Sequence, residues 1–153
     1  MMESAQISPP AAATGNALVT QVLGDFGGRI LAVQPTCDGM PTFWVDRKDV
    51  KALLKSLRDD STPRFEMLFD VTGIDERVRV HRDGQPASEF TVVYHLMSFS
   101  GNCDVRIKVP LQGADLKLPT VVDLWPSANW YERETWDMFG IEFEGHPNLY
   151  RIV

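Results

Sequence analysis

The 153-residue sequence contains only two cysteines, Cys37 and Cys103, and they form no C-x-x-C pair. Neither a disulfide framework nor a zinc ribbon is therefore signalled, and the four clustered thiolates that an iron-sulfur centre needs are missing. Both cysteines read as reduced thiols of a cytosolic protein. No apolar run approaches the roughly 18 residues that would cross a bilayer. The opening MMESAQISPPAAATG has no basic residue and no apolar core of the kind a secretory signal carries. Basic residues are also in deficit, 15 Lys and Arg against 21 Asp and Glu, for a formal charge of -6. An acidic chain offers no electrostatic footprint for phosphates, so nucleic acid is not an expected partner. No G-x-G-x-x-G follows a strand and no G-x-x-x-x-G-K occurs, so no recognisable loop binds a nicotinamide or nucleotide phosphate.

What remains is the composition of one soluble globular domain, 44% apolar and 24% charged. At this length a chain can bury about 70% of its unfolded surface and needs no metal or disulfide to fold. Residues 1–15 are small and polar with two prolines, too poor in apolar surface to offset their ordering entropy, and are read as a mobile tail. A single domain is expected over 16–153.

Leu18, Val22, Leu23 and Phe26 recur at helical spacing, which predicts a helix over 16–26 ended by Gly27-Gly28. Arg29–Gln34 and Thr42–Val45 read as a hairpin with a long loop containing Pro35, Gly39 and Pro41. Asp46 is placed as the cap of a second helix whose apolar set is Val50, Leu53, Leu54 and Leu57. Phe65, Met67 and Phe69 alternate with Glu66, Leu68 and Asp70 in a third strand, followed by the turn-rich DVTGID. The segment from Phe90 to Phe99 is apolar on both faces and predicts an interior strand. After the Ser100-Gly101-Asn102 turn, Cys103 to Leu111 alternates cleanly. Pro126 suits the first turn of a last helix over 127–138. The fold expected is α+β, a mixed or antiparallel sheet of about five strands with helices packed on it.

Aromatic residues are concentrated late: Trp125, Trp130, Tyr131, Trp136, Phe139 and Phe143 lie within one short stretch. With Trp130 set at 0° and about 100° per residue, Tyr131, Trp136, Met138 and Phe139 fall on an arc of about 80–240°. Glu132 falls inside that arc at about 200°, where a carboxylate must be neutral or paired. Arg133, Glu134 and Asp137 lie on the other side, with Arg133 and Asp137 spaced to pair at i, i+4. Such a helix is either an ordinary core helix with a solvated face or one held between its own sheet and a partner protein, with Trp and Arg as anchors.

The run ANWYERETWDMFGIEFEGHP, Ala128 to Pro147, resembles the signature of the 30 kDa subunit of proton-pumping NADH-quinone oxidoreductase, respiratory complex I, the component lettered C in bacteria. DVTGIDERVRVH (Asp70 to His81), Tyr94-His95-Leu96 and Lys108-Val109-Pro110-Leu111 extend the likeness. The stretch DERVRVHRDGQPASEF is most similar to bacterial fused C/D chains, in which this component and the next are one polypeptide. Tyr150 stands where the family usually has the first of two arginines, while Arg151 keeps the second. The resemblance implies that this is an N-terminal piece of a longer fused chain. It further implies a cofactor-free assembly domain of the peripheral arm, beside the D, B and I subunits, on the cytoplasmic side of the bacterial inner membrane and without a membrane span. NADH, FMN, the iron-sulfur clusters and quinone would then belong to other parts of the complex. By the same resemblance the subunit interface is assigned to Trp130, Glu132, Arg133, Glu134, Trp136, Asp137, Phe139, His146 and Arg151.

Two other readings compete. An equivalent interaction subunit of a membrane-bound hydrogenase complex would share the signature. A small hydrolase using Glu132 or Glu134 would need the two carboxylates to flank one substrate, and about 200° of helix rotation separates them. His81, His95 and His146 lack the spacing of a metal site and read as structural histidines.

Overall fold

Leu18, Val22 and Phe26 recur at i, i+4 and i+8 and form the buried stripe of α1 (Pro10–Phe26). The structure is a computed structural model that describes residues 10–80 and 84–148, with side chains from residue 17 onward. The helix thus begins at Pro10, ahead of the expected Asn16, and the rest of the expected tail lies outside the described residues. Leu23, expected on the apolar stripe, is instead exposed. A single 3-10 turn (Gly27–Arg29) leads into β1 (Ile30–Val33), which pairs antiparallel with β2 (Thr42–Val45) as the expected hairpin.

The helix expected to start at Asp46 starts at Val50 instead, as α2 (Val50–Asp59). Asp46 makes a turn of its own: its carboxylate accepts the Lys48 amide at 3.0 Å and its carbonyl accepts the Asp49 amide at 2.9 Å. Asp49 then accepts the first helical bond, from the Leu53 amide. An aspartate that bonds its own backbone two residues on favours a turn over helix entry. Val50, Leu53, Leu54 and Leu57 form the buried face as expected.

The third strand departs further from expectation. β3 runs Met67–Asp75, straight through the DVTGID read as a turn, and pairs antiparallel with β4 (Phe90–Ser98). A bulge between Leu68 and Asp70 puts Leu68 and Val71, not residues two apart, on the core side. Gly73 sits in mid-strand because the Phe139 ring lies against it, where a Cβ would come 2.7 Å from Phe139 Cδ2. β5 (Cys103–Leu111) pairs antiparallel with β4 and parallel with β2, giving a mixed sheet of order β1-β2-β5-β4-β3. The strand predicted to be interior is interior, between β5 and β3. Val92, Tyr94 and Leu96 of β4 and Val105, Ile107 and Val109 of β5 face the core with α1 and α2.

A second sheet, absent from expectation, has two short parallel strands, β6 (Lys117–Pro119) and β7 (Glu142–Glu144). Between them runs α3 (Ala128–Phe139), ended by Gly140 at φ 71° with its amide bonded to Trp136 O at 2.8 Å. The fold is α+β with a mixed five-stranded sheet.

Gly73→Ala forces the Phe139 ring off β3 and should destabilise the domain by about 1–3 kcal/mol. The check is urea unfolding of the variant. Recovery of most of that loss in Gly73→Ala with Phe139→Leu identifies the ring as the cause.

Candidate functional site

The aromatic run becomes α3, which lies along β3, the strand at the sheet's edge. An edge strand carries backbone groups with no strand to pair them. Three side chains of the α3 region reach carbonyls along it. Trp125 Nε1 donates to Glu66 O at 3.1 Å, Ser127 Oγ to Leu68 O at 3.5 Å, and Thr135 Oγ1 to Val71 O at 3.2 Å, shared with Tyr131 O at 2.8 Å.

Close approach to a strand edge narrows the buried face of the helix. Ala128, Glu132 and Thr135 are buried and Phe139 is partly so, an arc of about 140–200° in place of the expected 80–240°. Met138, expected in the apolar arc, is 68% exposed. Tyr131 and Trp136, near the margins of the arc, are half-buried.

Glu132 is fully enclosed, and both of its oxygens are held. Thr120 Oγ1 donates to Oε1, and the Val121 amide donates to Oε2 at 2.9 Å. Thr120 Oγ1 also accepts the Val122 amide at 3.2 Å. The carboxyl thereby ties α3 to the chain leaving β6, where Thr120 N in turn bonds Glu144 O at 2.9 Å. Burial pushes its pKa up to about 7, against the two hydrogen bonds and the Lys51 charge, with Asp123 adding to the rise. The phenol of Tyr94, buried and without a hydrogen-bond partner among the described residues, is pushed upward by burial and by the Glu132 charge. The sequence requires that Glu132 be neutral or paired. In the fold it is hydrogen-bonded twice and poised to be either.

The other candidate residues divide into two groups. Phe139 packs on Gly73 and meets the Phe90 ring edge-on, with centroids 6.3 Å apart. His146 accepts the Asn148 amide on Nδ1 at 3.0 Å, which leaves Nε2–H to donate to Asn129 O at 3.1 Å. Both, like Glu132, act inside the domain. The second group faces outward. Trp130 is 53% exposed with the Arg133 guanidinium 5.9 Å from its ring centroid, Glu134 is exposed, and Trp136 and Asp137 are half-buried. Arg151, with the neighbouring Tyr150, lies outside the described residues, as does His81. Thr120, Thr135 and Gly73 were not singled out from the sequence. A buried Glu called for a partner, but nothing in the spacing named Thr120, and Gly73 carried the signal of a turn. Among the described residues no group of three or more His, Cys, Asp or Glu could hold a metal ion, and no helix is long and apolar enough to cross a membrane.

Because the folded carboxyl of Glu132 titrates higher than a free one, the native state holds its proton over the interval from about 4.5 to about 7 while the unfolded chain has lost it. Stability from this group is present at low pH and falls as pH rises through that window, by up to about 3 kcal/mol. Glu132→Gln keeps the shape and removes the titration. Its stability relative to the parent should rise from pH 5 to pH 8 in urea melts, whereas two parallel curves would show that Glu132 does not titrate there.

Comparison with known proteins follows the same residues. The profile of the family described as "Respiratory-chain NADH dehydrogenase, 30 Kd subunit" matches residues 43–153. The fused C/D protein of NADH-quinone oxidoreductase from Acidiphilium cryptum is 53% identical over 146 residues, 95% of this chain and 25% of that one. The protein of the same name from Nitrosospira multiformis is 56% identical over 127 residues, 83% of this chain and 21% of that one. The chain thus spans about a quarter of the length of these relatives. Among solved structures, the trypsin-resistant fragment of Nqo5 aligns with a TM-score of 0.71 at 31% identity, covering 86% of this chain and 98% of that one. A chain of an archaeal membrane-bound sulfane sulfur reductase shares the fold, with a TM-score of 0.68 at 24% identity over 87% of this chain and 72% of that one. The signature that builds α3 and its exit is thus a family signature, and the chain belongs to the 30 kDa subunit family of respiratory-chain NADH dehydrogenase.

Proposed function

We propose that this domain is a cofactor-free assembly element of the peripheral arm of NADH-quinone oxidoreductase. In this reading it holds neighbouring D, B and I subunits in place while electrons pass elsewhere from NADH through FMN and iron-sulfur centres to quinone, coupled to proton translocation. It would sit on the cytoplasmic side of the bacterial inner membrane, as a peripheral part of the complex. The observation that carries the reading is the two-sided build of α3. Its inner face is pinned by Glu132, Thr135 and Phe139. The outer face presents Trp130 stacked with Arg133, the residue types that anchor interfaces. A helix fixed on one side can offer a partner a surface whose position varies little, and electron transfer between neighbouring subunits depends on such positioning.

The hydrolase alternative loses support because Glu132 is sealed within the domain while Glu134 is exposed, so the two do not face one substrate. For the hydrogenase-type complex, the likeness to the sulfane sulfur reductase chain speaks to fold alone, while relatives at 53% and 56% identity carry the NADH-quinone oxidoreductase name.

In the full-length chain, Trp130→Ala and Arg133→Ala should each lower recovery of the other arm subunits on affinity purification by roughly fivefold or more. Melting of the isolated variant domains should stay near the parent value, because both side chains lie on the outer face. Normal assembly with lost turnover would overturn the assembly role.

A further inference from the structure

The sheet has a second face, which no helix covers among the described residues. Part of it is closed: Trp44, Thr91 and Val93 are buried, and the loops carrying Thr36 and Gln85 lie near them around a pocket of 340 Å³. The end formed by β3, β4 and the start of β5 is open. There Met67 pairs in register with Met97, and the bulge turns Phe69 onto His95, with ring centroids 5.0 Å apart. Phe69 is 48% exposed, and Phe99, just past β4, is 67% exposed. Two methionines and two phenylalanines thus form one stripe along two adjacent strands, an adaptable apolar surface of a kind that single exposed residues do not make.

The stripe is bordered by carboxylates. Asp70 lies opposite His95 in register, Asp104 lies opposite Met97, and Glu66 stands at the Phe99 end. Glu66 is held ionised, its carboxyl lowered by its own backbone amide and by bonds from the Phe99 amide and Ser100 Oγ, both at 2.9 Å. His95 Nε2 lies 2.9 Å from Asp104. The cation opposite His95, Arg106, is turned to Asp38 at 3.2 Å. The border is therefore acidic, and what covers the stripe must bring positive charge with its apolar residues.

We propose that this open sheet face docks a basic amphipathic helix of another chain, with its apolar side on Met67, Phe69, Met97 and Phe99 and its Lys or Arg residues against Glu66, Asp70 and Asp104. A helix is the element that covers a sheet face in layered folds. Strand spacing of about 4.8 Å and a repeat of about 6.7 Å make the stripe two strands wide and about 13 Å long, the footprint of two to three helical turns. Carboxylates on its border repel an anionic lipid surface, and a chain of charge -6 repels a second copy of itself. The inference rests on the reading of this domain as part of an assembly, but it concerns a different surface from the outer face of α3.

The test uses the full-length chain in cells that assemble the complex, with Phe99 replaced by the photo-crosslinking analogue p-benzoylphenylalanine, and a parallel strain with Trp130 so replaced. Irradiation followed by sequencing of the attached peptide should identify, at position 99, a segment of another chain with net positive charge and apolar residues at i, i+3 or i+4. Asp70→Asn with Asp104→Asn in the same chain should lower that yield about fivefold, and Asp115→Asn, on a different loop, should leave it unchanged. Cross-links at position 99 to an acidic or neutral segment, to lipid or to a second copy, or no cross-link at all, would overturn the proposal. Cross-links at position 130 without any at 99 would do so while leaving the assembly role of α3 intact. A cross-linked basic helix at 99 with none at 130 would support this surface and count against α3.

Discussion

The placement of α3 depends on one buried carboxyl. Glu132 is the point where the helix, the chain leaving β6 and, through Thr120, the β6–β7 ladder meet. A carboxyl enclosed in a protein costs several kcal/mol unless its oxygens are satisfied. That cost enforces geometry, because the Thr120 hydroxyl and the Val121 amide satisfy it only when the helix and the β6 exit are both in place. Apolar packing alone would allow α3 to slide or rotate by small steps, whereas the two bonds to Glu132 do not tolerate such steps. His146 repeats the device at the other end of the ladder by bonding back to Asn129.

The second constraint is the edge of the main sheet. β3 has a strand on one side only, and the free carbonyls of Glu66, Leu68 and Val71 accept from Trp125, Ser127 and Thr135. Covering an edge with a helix blocks pairing with foreign strands. It also fixes the distance between helix and strand, which is why a glycine at position 73 and a threonine at 135 occupy places where a core helix would ordinarily carry larger residues. The tryptophans move out to the flanks as a result.

Where apolar periodicity was unambiguous, the sequence predicted the elements well. The face of α2, the alternation of β5 and the interior place of β4 could all be read from spacing. Local chemistry was harder to weigh against distant partners. Gly73 in DVTGID and Asp46 before an apolar run are both strong local signals, but the first is overruled by a phenylalanine from α3 and the second by a turn one step earlier. β6 and β7 are too short and too far apart in sequence for any local pattern to announce their pairing. Of the site, the buried position of Glu132 was legible from the helical wheel. Its partners were not, because Thr120 has no periodic relation to it, and the narrow buried arc of α3 depends on a strand edge that the sequence does not mark.

The parallel pairing of β2 with β5 sets the order in which this domain can be made. β3, β4 and β5 follow one another and can zip up as neighbours, but Thr42 meets Arg106 only across 64 positions of chain. The β1–β2 hairpin, with every residue of β2 destined for burial, has no sheet to join until β5 has been synthesised and laid down. During synthesis the N-terminal quarter is therefore held back as an unfinished, sticky hairpin. The last event in closing the core is its docking, a long-range step of the kind that slows folding.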